Sequence, residues 1–170
     1  MTEQAFVLRM HPVGEDRVPE ALRTGEISIG WGKVGPGLLD PGLSRSEVSD
    51  IVARSVYYRA QANRRSAGNA AGQLWRFNRE MRNGALVVVP HGDVLHVARV
   101  IGPPRYVVEP AAEHWAYRRP VEWLTGPEGV ARSDASSALR TRLRGQITCM
   151  PASDLIADIG RLWSSRTRTA

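Results

Sequence analysis

The stretch from Leu86 to Gly102 constrains the fold of this chain more than any other. Leu86, Val87, Val88 and Val89 run without a polar residue into Pro90, His91-Gly92-Asp93 supplies a turn, and VLHVARVIG (94–102) returns at hairpin distance. A strand that is apolar on both faces needs cover on both. It therefore belongs in a closed or nearly closed sheet with a filled interior and further elements packed outside.

The rest of the chain reads as the parts such a sheet requires. Residues 5–10 (AFVLRM) predict a first strand, and 26–31 (EISIGW) alternates Ile27, Ile29 and Trp31 on one face. Tyr106–Val108 predicts a short strand and 115–124 a longer one, in which Pro120 demands an edge or a bulge. Residues 11–25 and 32–43 read as Pro- and Gly-containing loops. Ser44 and Glu47 form a capping box that opens a helix to about Tyr58, with Val48, Ile51, Val52, Ser55 and Val56 on its core face. Residues 59–68 read as a basic loop. Asn69 then caps a second helix with Leu74, Phe77 and Met81 inward and Gly84 at its end. A short helix at 137–144 stops at Gly145, QITCM (146–150) is strand-like, and 152–163 is amphipathic through Leu155, Ile156, Ile159, Leu162 and Trp163. The sum is an α+β domain, a small barrel-like sheet with flanking helices, spanning 1–165 with a frayed tail at 166–170.

Length fits that reading, since 170 residues make one domain. The apolar run at Leu86–Val89 falls far short of the ~20 residues of a membrane helix, and no signal-peptide pattern opens the chain. With one cysteine, Cys149, an internal disulfide and a multi-cysteine zinc site are excluded. The expected setting is cytoplasmic. The net charge is +6, and Lys33 is the one lysine beside 22 arginines. Coding bias accounts for that excess as readily as function does, yet arginine also forks onto phosphates and stacks on bases.

Enzyme constellations are absent. There is no HExxH pair, no G-x-S-x-G elbow and no phosphate-binding G-x-x-x-x-G-K-[ST] loop. His11, His91, His96 and His114 are scattered, and Cys149 sits on a predicted strand as a small hydrophobe. The expectation is no catalysis, no metal and no cofactor.

Aromatic and amide side chains stand out instead. Trp31 lies between two glycines at a strand end, Asn69 and Gln73 are one turn apart at a helix start, and Trp75 is turned away from the Leu74–Phe77 face. Tyr117, Arg118, Arg119 and Trp123 line one strand, and Arg59, Arg64 and Arg65 form a basic loop. A nucleobase pocket needs such parts: aromatic faces to stack, amides to read an edge, and arginine outside for phosphate. Each also has a plainer reading, as a core tryptophan, a helix cap, a helix-surface amide or a solvated charged face.

In order and spacing, I-G-W-G (29–32), NAAGQLWRFNREMRNGALVVVP (69–90), V-A-R-V-I-G (97–102) and Y-R-R-P-V-E-W-L (117–124) resemble the EVE-type, PUA-like domain of Mrr-like restriction proteins. The likeness covers roughly residues 5–125, and it departs at Gly84-Ala85, where that family has Gly-Asp. The resemblance implies a PUA-like barrel that reads a modified or flipped base. DNA is favoured over RNA, in a restriction or antiphage setting, with any nuclease on a separate chain or a further domain. Carried over by position, it puts Trp31, Asn69, Gln73 and Trp75 at the pocket and Arg118 and Arg119 at its rim. An RNA-binding module and a protein-interaction subunit are the alternatives.

Overall fold

The computed structural model describes residues 3–60 and 64–164. Strands β1 (Ala5–Leu8), β2 (Glu26–Ile29), β3 (Leu86–His91), β4 (Val94–Val100), β6 (Tyr117–Trp123) and β8 (Cys149–Pro151) form one curled, mixed sheet in the order β2-β6-β4-β3-β1-β8. The short β5 (Arg105–Tyr106) pairs with β6, and β7 (Val130–Ala131) pairs with β4. The β1–β3 pair is parallel and the other ladders are antiparallel. The result is an α+β half-barrel.

The two-sided burial expected of Leu86–Val89 is what the structure shows. Val87 and Val89 face an inner core with Phe6, Leu8, Ile27, Ile29, Ala98 and Val100, whereas Val88 faces an outer core with Ala5, Val7, Leu95 and Val97. Helices α1 (Val18–Thr24), α2 (Arg45–Arg54) and α3 (Arg64–Trp75) close the inner core. On the outer side lie α4 (Ser137–Arg142) and α5 (Ile156–Ser164), the latter through Ile159 and Leu162. Each large apolar side chain so buried stabilises the fold by roughly 1.5–3 kcal/mol.

Several boundaries differ from the sequence reading. Residues 18–24, expected as loop, form α1, because Pro19 fits a first helical turn and Gly25 accepts the left-handed exit at φ 69°. The Ser44–Glu47 capping box forms as expected, but α2 stops at Arg54 and Val56 is exposed. Helix α3 begins at Arg64, not Asn69. The spacing of Ala67, Ala70, Ala71 and Leu74 gives it a buried stripe, and arginine and alanine are good helix formers. The helix then widens into a π turn at Arg76–Glu80.

Pro120 lies on neither an edge nor a bulge. Central β6 exchanges its partner there: β4 pairs as far as Val100–Val121, and β5 takes over at Arg118. The proline's missing N–H falls in the gap between the two ladders. Gly102 leaves room for the ring, since a Cβ there would sit 2.6 Å from the proline Cγ.

Candidate functional site

The half-barrel is open beside the free edge of β2, and the chain leaving β1 borders the same opening. A cavity of about 470 Å³ lies there. Its walls are Arg9, Met10, His11 and Val13 after β1, Ser28, Ile29, Gly30 and Trp31 at the end of β2, and Tyr57, His114, Gln146 and Thr148 from three other segments. That volume is ordinary for a small-ligand pocket, ~300–1,000 Å³.

Strand register makes one wall polar. The Val121 amide donates to Gly25, and the ladder continues through Ile27–Arg119 and Ile29–Tyr117. Hydrogen bonding alternates along an antiparallel strand. The backbone amides and carbonyls of Ser28 and Gly30 therefore point away from β6, toward the open edge.

Two aromatic rings are held by their polar tips. The Trp31 indole Nε1 donates to the Tyr58 hydroxyl at 3.1 Å. The Tyr57 hydroxyl accepts from the Lys33 amide at 3.1 Å and donates to Glu113 at 3.2 Å, while Lys33 Nζ pairs with Glu113 at 3.0 Å. Burial pushes the Tyr57 phenol up to about 12; the Lys33 amide opposes that rise and the Glu113 charge reinforces it. With their tips engaged, both side chains can offer a ligand mainly their ring faces. Trp31 is also strained, at φ 61°.

The glycines flanking Trp31 serve packing. A Cβ on Gly32 would collide with the Glu113 carbonyl and stand 2.7 Å from the Ala116 Cβ, and one on Gly30 would stand 3.4 Å from the His114 carbonyl. They let the 113–116 segment close one side of the cavity.

On another side, Arg9 Nη1 donates to the Gly145 carbonyl at 2.8 Å and to Gln146 Oε1 at 3.2 Å, so the guanidinium is fixed at the wall. The 11–17 segment is braced by Asp16. Its carboxylate accepts from the Val18 amide at 3.0 Å and contacts His91 Nε2 at 2.6 Å and His11 Nε2 at 3.5 Å. Burial resists ionisation of Asp16, but the Val18 amide and the His91 ring outweigh it and hold its pKa below the usual value. Among the described residues, no group of three or more His, Cys, Asp or Glu side chains is placed to hold a metal ion.

Of the side chains singled out in the sequence, Trp31 lines the cavity. Gln73 stands one hydrogen bond behind it: its Oε1 accepts from the amides of Thr148 at 2.8 Å and Cys149 at 3.2 Å. Asn69 is not a cap but an exposed position within α3. Trp75 packs on the inner core under Arg79, whose Cζ is 5.6 Å from the ring centroid.

The β6 residues are corrected most. Period-two alternation turns Tyr117, Arg119, Val121 and Trp123 into the inner core and away from the cavity. Tyr117 is fully buried, its hydroxyl donating to the Gly35 carbonyl at 2.6 Å. Trp123 Nε1 donates to the Ala21 carbonyl at 3.1 Å. Arg119 is 3% exposed and donates to the carbonyls of Gly102, Phe77 and Met81, so it caps the end of the α3–π segment rather than a phosphate. Burial brings its pKa down to about 10. Arg118 contacts the Trp115 carbonyl and Glu26 and is largely covered. Arg59, Arg64 and Arg65 are exposed, the latter two on the first turn of α3 rather than in a loop.

The cavity residues missed in the sequence are Arg9, Met10, His11, Val13, Ser28, Tyr57, His114, Gln146 and Thr148. They come from segments far apart in the chain, and no local spacing marks them.

No helix among the described residues is long and apolar enough to cross a membrane. Comparison with curated proteins returns no match. A family model described as a domain of unknown function, DUF8426, matches residues 12–142. That is well over half of the chain, which therefore belongs to the DUF8426 family.

Proposed function

We infer that this protein binds nucleic acid and takes one base into the cavity beside β2, without catalysis of its own. The observation that carries this reading is the lining itself: the aromatic residues Trp31 and Tyr57 share one opening with Arg9, His11, His114, Gln146, Thr148 and Ser28. A base offers two flat faces and a hydrogen-bonding edge, and this wall offers partners for both. Stacking on such a ring contributes about 1–3 kcal/mol per base. The outward amides and carbonyls of Ser28 and Gly30 and the fixed Arg9 guanidinium are the edge readers. The net charge of +6 and the exposed Arg59, Arg64 and Arg65 supply backbone attraction that weakens with salt.

Duplex DNA carrying a modified or flipped base is the favoured ligand, and the likeness to PUA-like EVE domains supports that choice. A restriction or antiphage role, with a nuclease on another chain or domain, rests on the same likeness.

The test is binding of the purified protein to unmodified duplex DNA, duplexes carrying modified cytosine or adenine, and matched RNA, at two salt concentrations. The expected result is selective binding to one modified duplex, lost in Trp31→Ala while the variant remains folded. A preference for RNA would replace the DNA assignment by an RNA-binding one. Absence of salt-sensitive binding to any of them overturns the reading in favour of a protein-interaction surface.

A further inference from the structure

Among the described residues two non-glycine side chains sit at positive φ, Trp31 at 61° and Val13 at 48°, and both line the same cavity. For Trp31 the core supplies a reason, because the ring packs against it. Val13 has no such reason. It is β-branched, the kind of residue for which left-handed backbone is a genuine outlier, and it is 72% exposed, so burial does not offset the strain. The next residue, Gly14, is also left-handed, at φ 82°.

The turn that carries Val13 is braced on both sides. The Arg17 amide donates to the Met10 carbonyl at 3.0 Å, and Asp16 ties the segment to Val18 and to His91 on β3. An anchored turn thus presents a bare isopropyl group at the mouth of the cavity. A second exposed apolar side chain, Ile147 at 49%, lies between the lining residues Gln146 and Thr148. Strain that burial does not compensate gathers where a side chain has work outside the fold.

We propose that Val13 is a wedge for duplex DNA: when a base enters the cavity, its side chain fills the gap left in the stack. Small apolar side chains inserted between base steps hold a duplex in that unstacked state. This rests on the base-binding reading above and adds the residue that makes a paired base accessible. A single strand has no stack to hold open, so the wedge matters only for the duplex.

The probes are 21-base-pair duplexes with a central cytosine, 5-methylcytosine, adenine or N6-methyladenine, each compared with its modified or unmodified strand alone by fluorescence anisotropy. Val13→Gly, which removes both the strain and the side chain, is expected to lose about tenfold in affinity for the best-bound duplex while single-strand affinity stays within about twofold. Val13→Ile should restore duplex binding. Equal losses on both forms, or an unchanged duplex affinity, would overturn the wedge. Trp31→Ala separates the two ideas, because it should weaken duplex and single strand alike. If Trp31→Ala changes neither, the base pocket itself fails and the wedge fails with it. Thermal melting of each variant confirms that the fold is retained.

Discussion

The side-chain carbonyl of Gln73 on α3 receives the backbone amide of Thr148 at 2.8 Å, and Thr148 is part of the cavity wall. One helix residue thereby sets the position of a strand entrance that is 75 residues away in sequence. It is a positioning residue, acting through Thr148.

Gln73→Ala should leave the Thr148 and Cys149 amides without their acceptor and cost about 2 kcal/mol in stability. Gln73→Glu, which keeps an acceptor oxygen at that place, should recover most of the loss. Urea unfolding of both variants measures it, and equal stabilities for the two would remove the hydrogen bonds from the explanation.

Arg119→Met keeps an apolar stem of similar reach but orphans the carbonyls of Phe77, Met81 and Gly102. We expect a loss of about 3 kcal/mol. Arg119→Lys keeps the charge but brings one point donor to carbonyls that a fork serves together, so it should recover only part of the stability. A full recovery would mean that charge alone, and not the fork geometry, is what the site needs.

The two glycines around Trp31 predict opposite tolerances. Gly32→Ala drives a methyl into the 113–116 backbone and should destabilise by about 1–3 kcal/mol. Gly30→Ala, with its nearest neighbour at 3.4 Å, should cost much less. Thermal melts of the pair decide the matter, and similar penalties would show that the segment yields more readily than its packing implies.

His96 is buried against Trp123, ring centroids 6.0 Å apart and nearly perpendicular, and its Nδ1 has no partner among the described residues. Burial holds its pKa below the ordinary value of 6.5, a hydrogen bond with the Gly126 backbone opposing that effect and the nearby His91 adding to it. The unfolded chain therefore takes up a proton at higher pH than the folded one, and stability falls as pH drops through 6.5 toward the folded-state value. His96→Phe should flatten the stability profile between pH 7 and 5. An unchanged slope would assign the acid sensitivity to other groups.

How much of this was legible in the sequence depends on the range of the interactions concerned. The Ser44–Glu47 box, the two-faced Leu86–Val89 strand and the α5 stripe are local patterns, and each is found where its pattern puts it. Helix α1 was missed because a proline at its first turn and a glycine at its end punctuate like a loop. Tyr117, Arg119 and Trp123 carried the right chemistry for a base pocket, but the strand's own alternation spends them on the core. Trp31 was legible as a strand-end aromatic. Its companions were not, because the curl of the sheet brings together residues 9–13, 28–31, 57, 114 and 146–148.

The place of β1 in the sheet has a consequence for the order in which the molecule can assemble. The strand at residues 5–8 is synthesised before both of its neighbours, residues 86–88 on one side and 149–151 on the other. It cannot be flanked on both sides until residues 149–151 have been made, and loops of that span slow the pairing. Until then Ala5-Phe6-Val7-Leu8 is an apolar segment with bare edges, open to chaperones and to other chains. Synthesis rate and chaperone supply should therefore govern the yield of folded protein more than its final stability does.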